Sequence, residues 1–374
     1  MNWNRTTVIL AISATLFGVS LIGFNASNAQ QTTPNTQVTA ASPSPTVSPT
    51  PEVIIDDDEV LQIETEVVNV LFTATDNNRK FITDLKQTDI KILEDGKEQE
   101  IFAFYRQVDL PLSLAILIDV SASQERTLPQ EKDAAKVFVE DVIRPDKDEV
   151  AIVSFTGETT LEQGMTSNIP RLRRAIDRVE FVPPSGYLGG GVIVGGRTGT
   201  PPISGRNQTA QGSTAIWDAI WVTSDEVLSV SPDRTRRAII LVTDGINTFG
   251  RKKLDDAVQA AIKAEAVIYC VGIGDNFYGG VDEGSLRKIS ERTGGHAYFP
   301  REESDLRKAF AQIQLEMRSQ FLVAYSPTNE KKDGTYRKIE IQTANPELAK
   351  QKVKLTHRQG YFAKTEKKSE QKSK

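Results

Sequence analysis

The stretch PLSLAILIDV, residues 111–120, constrains this chain more than any other. Its run of consecutive apolar positions, Leu114 to Ile118, leads straight into Asp119. A short strand with no polar face has to be covered on both sides, as a central strand of a parallel sheet is. From there strand-like and helix-like segments alternate. LPQEKDAAKVFVEDVI reads as a helix, EVAIVSF as a strand, and NIPRLRRAIDRVEF and AIWDAIWVTSDEVLSV as helices. RRAIILVTDG is the next strand, KLDDAVQAAIKAE a helix, AVIYCVGIG a strand, and EGSLRKISERTG and SDLRKAFAQIQLEMRSQ two further helices. This order predicts an α/β fold: a doubly wound, mostly parallel sheet with helices on both faces, spanning residues 111–320.

The segments on either side have β character. TEVVNVLFTATD mixes alternating and branched apolar residues, and DIKILEDGKEQEIFAFY holds two strand-like runs around Asp95-Gly96, a strong hairpin signal. QFLVAYSP, YRKIEIQT and KVKLTHRQGYF are strand-like again. Residues 60–110 and 321–363 are therefore expected to form the two halves of one small antiparallel β domain, with the α/β unit inserted between them.

The first 29 residues have the pattern of an export signal. Arg5 precedes the apolar VILAISATLFGVSLIGF, and small residues around Ala29 predict cleavage there. A segment that stays uncleaved is the alternative, and the only route to a membrane. Residues 30–59 are Pro-, Thr- and Ser-rich and then acidic (IIDDDE), the composition of a solvated linker; residues 364–374 form a charged tail. The expected location is secreted, periplasmic or cell-envelope associated. Cys270, the single cysteine, lies in an apolar run, so neither an internal disulfide nor a cysteine-rich metal site is available. The formal net charge of -5 gives no broad attraction to nucleic acid.

In open parallel sheets, ligands bind beyond the carboxyl ends of the strands. Asp119 sits at such an end, with Ser121 and Ser123 just after it. Thr214 in QGSTAIWDA stands at a helix start and Asp244 in ILVTDG at another strand end. Two carboxylates and three hydroxyls suit Mg2+ or Mn2+, which prefer oxygen ligands in near-octahedral geometry. With so few charges facing it, such an ion stays electrophilic toward a carboxylate from outside. An acid followed by serines is also a common helix cap, and an Asp-Gly after a strand is often a turn, so it is the three pieces together that indicate a site.

Here the sequence resembles the von Willebrand factor A domain family over roughly residues 112–323. DVSAS, GSTA and VTDG match in order the family's metal-ion-dependent adhesion site (MIDAS): Asp-x-Ser-x-Ser, a Thr from a second loop and an Asp from a third. The resemblance implies a Rossmann-like sheet and a metal set of Asp119, Ser121, Ser123, Thr214 and Asp244. It also implies a non-catalytic, Mg2+-dependent adhesion or protein-binding module whose partner presents an Asp or Glu. The flanking β segments resemble those of exported bacterial proteins with this domain in the middle.

Residues 183–212, rich in Gly and Pro, depart from a compact member of the family. They read as a surface loop. The sharper reading, resting on Arg197 and Arg206 with no acid, is that the loop closes over an acidic ligand. A tethered IIDDDE occupying the metal's open position is a further reading. Two other functional classes compete: an envelope component whose metal only stabilises the fold, and a metal-assisted hydrolase. For the hydrolase, His296 and His357 have no evident nucleophile partner, and no phosphate-binding GxxxxGK loop is present.

Overall fold

The computed structural model describes residues 67–106, 110–183, 213–232, 235–274 and 280–365. The export segment, the linker with IIDDDE, residues 184–212 of the Gly-rich insertion and the tail from 366 onward lie outside them. Described residues begin with β1 (Val68–Thr75), β2 (Ile90–Glu94), β3 (Lys97–Gln99) and β4 (Ile101–Arg106). The α/β unit follows with β5 (Leu112–Asp119), α1 (Leu128–Val142), β6 (Glu149–Phe155), β7 (Thr159–Thr166), α2 (Ile169–Arg178) and α3 (Ile216–Val222), which runs on as a π-helical turn over Thr223–Leu228. It continues through β8 (Arg236–Thr243), α4 (Leu254–Lys263), β9 (Ala266–Gly272), α5 (Glu283–Thr293), β10 (Ala297–Tyr298) and α6 (Glu303–Arg318). The chain closes with β11 (Phe321–Tyr325), β12 (Tyr336–Thr343), α7 (Pro346–Lys350), β13 (Lys354–His357) and β14 (Gly360–Phe362).

The central sheet has the order β10-β9-β8-β5-β6-β7. All neighbours are parallel except β6 and β7. Every residue of β5 is buried, as its unbroken apolar run requires. Leu114, Ile116 and Ile118 join the core under α1, α2 and α6, whereas Ala115 and Leu117 join the core under α3, α4 and α5. Helix periodicity does the matching work: Ala257, Val258, Ala261 and Ile262 make one buried stripe along α4. Strand β7, TTLEQGMT, departs from the expected pattern; its antiparallel place at the sheet's edge leaves most positions half-buried.

The flanking strands form two sheets of order β13-β1-β11-β4 and β14-β12-β2-β3. Val68, Val70, Phe72, Ile90, Ile92, Val323, Ile339 and Ile341 belong to the one core they share. The run after Asp95-Gly96, read as one strand, is two: β3 completes a hairpin with β2, while β4 pairs β11 in the other sheet. At the junction with the α/β unit, Arg236 Nη1 donates to Met317 O at 2.7 Å and Nη2 to Leu110 O at 3.4 Å. One side chain thus ties the entry to the exit of the inserted unit.

Candidate metal centre

Asp119 is the last residue of β5, between β6 and β8, and is fully buried. Its Oδ1 accepts the backbone N–H of Ser121 at 2.9 Å, and its Oδ2 accepts the Thr243 hydroxyl at 2.6 Å. Ser121 begins a short 3-10 turn over Ala122–Gln124, which carries Ser123 back so that the two hydroxyls lie 3.2 Å apart. The Ser121 hydroxyl also hydrogen-bonds Asp119, and that of Ser123 hydrogen-bonds Asp244. Asp244 follows the last residue of β8, is 2 % exposed and accepts the N–H of Ile246 at 2.9 Å. The strand ends thus bring Asp119, Ser121, Ser123 and Asp244 into one hydrogen-bonded cluster.

Thr214 is buried and positioned through its backbone. Its carbonyl accepts from Thr248 N at 2.9 Å and Phe249 N at 3.0 Å, and its own N–H donates to Thr248 Oγ1 at 2.9 Å. Next to it, Ala215 N donates to Thr156 O at 2.7 Å, just past the end of β6. The Thr214 loop is therefore laced to both the β6 end and the Asp244 loop. Asp218 on α3 tightens the same lacing by accepting the backbone N–H groups of Arg251 and Lys252.

Electrostatically the cluster is under-neutralised. Burial pushes the Asp119 carboxyl up to about 7, and the Asp244 charge pushes the same way against the hydrogen bonds from Ser121 and Thr243. Asp244 is raised too, first by burial, with the charge of Asp282 adding. Among the described residues no Lys, Arg or His forms an ion pair with either. Two buried carboxylates with hydroxyls as their partners, and no sulfur or imidazole, make a hard-oxygen set that a divalent cation fits. Strand-end logic missed three neighbours. Thr243 was legible as the residue before Asp244 in VTDG, whereas Gln124 and Glu131 carry no pattern that separates them from ordinary helix-start residues.

The two histidines stand apart from this edge. His296 is half-buried with Nδ1 2.7 Å from Glu316 Oε1, and Glu316 also accepts from the Tyr298 hydroxyl at 3.0 Å. His357 accepts the N–H of Ile341 on Nε2 at 3.1 Å, and its Nδ1 lies 2.7 Å from Arg358 O, which makes it a neutral imidazole with the proton on Nδ1. Burial lowers its pKa in keeping with that form.

No curated protein matches the chain. Among solved structures it is similar to proximal thread matrix protein 1 from the mussel byssus (20% identity, 60% of this chain and 51% of that one, TM-score 0.44). A form of that protein with a zinc-occupied MIDAS motif gives 20% identity, 60% and 50% coverage and a TM-score of 0.45. A von Willebrand factor type A structure from Catenulispora acidiphila gives 14% identity, 82% and 76% coverage and a TM-score of 0.42. The chain spans about half the length of the byssus protein. Two family models, both described as von Willebrand factor type A domain, match residues 114–194 and 203–312. The first match takes in Asp119, Ser121 and Ser123 and the second Thr214 and Asp244, on a sheet with three helices on each face; the chain belongs to the von Willebrand factor type A domain family.

Proposed function

We propose that this is an exported, non-catalytic binding protein that uses a Mg2+ or Mn2+ ion at the sheet edge to hold an Asp or Glu side chain of another protein. The observation that carries the reading is the pair of buried carboxylates, Asp119 and Asp244, gathered with Ser121 and Ser123 at the carboxyl ends of β5 and β8 with no basic side chain among the described residues paired to them. Asp119, Ser121, Ser123, Thr214 and Asp244 would hold the ion. The ion supplies positive charge that an incoming carboxylate can meet. Asp119 is held from both sides, by Ser121 N–H and the Thr243 hydroxyl, so its oxygens are oriented before anything binds. The hydroxyls add donor atoms without adding charge, which leaves the ion electrophilic. Ser123, less buried than Asp119, Ser121 and Asp244, marks the open side of the cluster. Export rests on the N-terminal segment; among the described residues no helix is long and apolar enough to cross a membrane.

The depth of Asp119 favours one competing reading, a metal that only stabilises the fold. Chelation lowers thermal stability under both readings, but only a binding module loses a partner. Affinity capture from cell-surface extracts, with magnesium and with chelator, separates them when run beside Asp119→Ala. Partners retained by the wild-type protein in magnesium alone are the expected result. The same partners in every condition overturn the proposal.

A further inference from the structure

Glu131 lies in the first turn of α1 on the face turned toward the sheet, among Leu128, Ala134, Ala135 and Phe138 of the same helix. It is 1 % exposed, and neither carboxylate oxygen has a hydrogen-bond partner among the described residues. Burial pushes its carboxyl up to about 8; the Thr127 hydroxyl opposes this, and the charges of Asp119 and Asp244 reinforce it. That hydroxyl gives its proton elsewhere, to Gln124 Oε1 at 2.8 Å. Gln124, fully buried itself, donates to Ile273 O at 3.2 Å and reaches Ser123 Oγ at 3.5 Å. A line of polar groups therefore runs from Ser123 through Gln124 and Thr127 toward Glu131, at the border of an apolar core.

Nothing among the described residues pairs with this acid. An unpaired carboxylate in an apolar layer costs stability, and a residue of similar length without the charge fills the same space at less cost. The groups that act on it over distance are Asp119 and Asp244, the two acids of the metal centre. On the reading that this centre binds a divalent cation, we propose that Glu131 is an acid outside the ligand set that acts on the bound ion by charge from within the core; among the described residues no three acids are grouped closely enough to hold one ion together. The five residues at the sheet edge then underestimate the negative charge facing the ion. A third acid strengthens the hold on the cation and dampens its pull on an outside carboxylate, so Glu131 sets the balance between ion affinity and partner affinity.

The test is isothermal titration of the full chain with Mn2+ and with Mg2+, for the wild type, Glu131→Gln, Glu131→Leu and Asp119→Ala. Both Glu131 variants should bind Mn2+ at least about tenfold more weakly, the scale on which outer groups act on a metal site. Their metal-free thermal transitions should be as high as that of the wild type or higher. If the wild type binds and Asp119→Ala does not, unchanged affinity in Glu131→Gln overturns this inference and leaves the metal centre standing. If the wild type takes up neither ion, the reading of the centre fails and this inference falls with it. Loss of the metal-free fold in both Glu131 variants overturns it as well, because the acid would then be structural.

Discussion

At the scale of single residues, the candidate metal centre is a place where the fold concentrates buried acids. Asp119 and Glu131 ionise near pH 4 in an unfolded chain, yet burial holds them protonated up to about 7 and about 8. As pH rises between these limits the unfolded state gives up protons that the folded state keeps, so stability falls with increasing pH. In chelator the protein should lose about 5–10 °C of Tm between pH 5.5 and 8.5, and Mg2+ should restore most of it at the upper pH. Scanning fluorimetry in matched buffers measures this, and a metal-free Tm that rises with pH contradicts it. Among the buried acids, the readable ones were those followed by a motif. Asp119 and Asp244 end apolar strands in DVSAS and VTDG, whereas Glu131 in LPQEKDAAK looks like any helix-start acid, because its burial depends on which face of α1 the sheet covers.

The elements show why some of the fold was legible and some was not. Strands β5, β8 and β9 announce themselves because a strand buried on both faces must be apolar through its middle. The edge strand β7 has no such demand, and TTLEQGMT carries neither alternation nor a helix stripe. In β12 the alternation is legible but its occupant is unusual: Arg337 shares the inner face with Ile339 and Ile341 and is 1 % exposed. It lies 3.4 Å from Glu94 Oε1, and Glu94 accepts the hydroxyls of Tyr325 at 2.8 Å and Tyr361 at 2.9 Å. Arg337→Leu leaves Glu94 without its cation and should cost about 3–5 kcal/mol in urea unfolding. The loop after β8 has its own constraint in Gly245, at φ +83, where an added Cβ would stand 2.9 Å from Leu286 Cγ and 3.0 Å from Asp282 O. Gly245→Ala should displace Asp244 and weaken Mn2+ binding about tenfold, reflecting about 1–2 kcal/mol of backbone strain. Wild-type affinity in a calorimetric titration would show that the loop absorbs the change.

For the whole molecule, the organising fact is that β1 and β4 do not pair with each other: β11 lies between them, antiparallel to both. The second sheet is likewise shared, with β2 and β3 from before the α/β unit and β12 and β14 from after it. A chain ending at Arg318 should therefore keep the α/β unit's cooperative unfolding while residues 68–75 and 101–106 lose amide protection in hydrogen exchange. Protection retained there would mean that β1 and β4 find another partner. The arrangement also fixes an order of assembly. Chains are made from the N-terminus, and domains fold as their last strand emerges. While residues 107–320 are being synthesised, β1 and β4 have open edges and nothing to close on, and a nascent chain paused in that interval presents two unpaired strands to any binder of extended backbone. The acid cluster is built during that same interval, so the sheet edge that carries it is complete before the flanking sheets close.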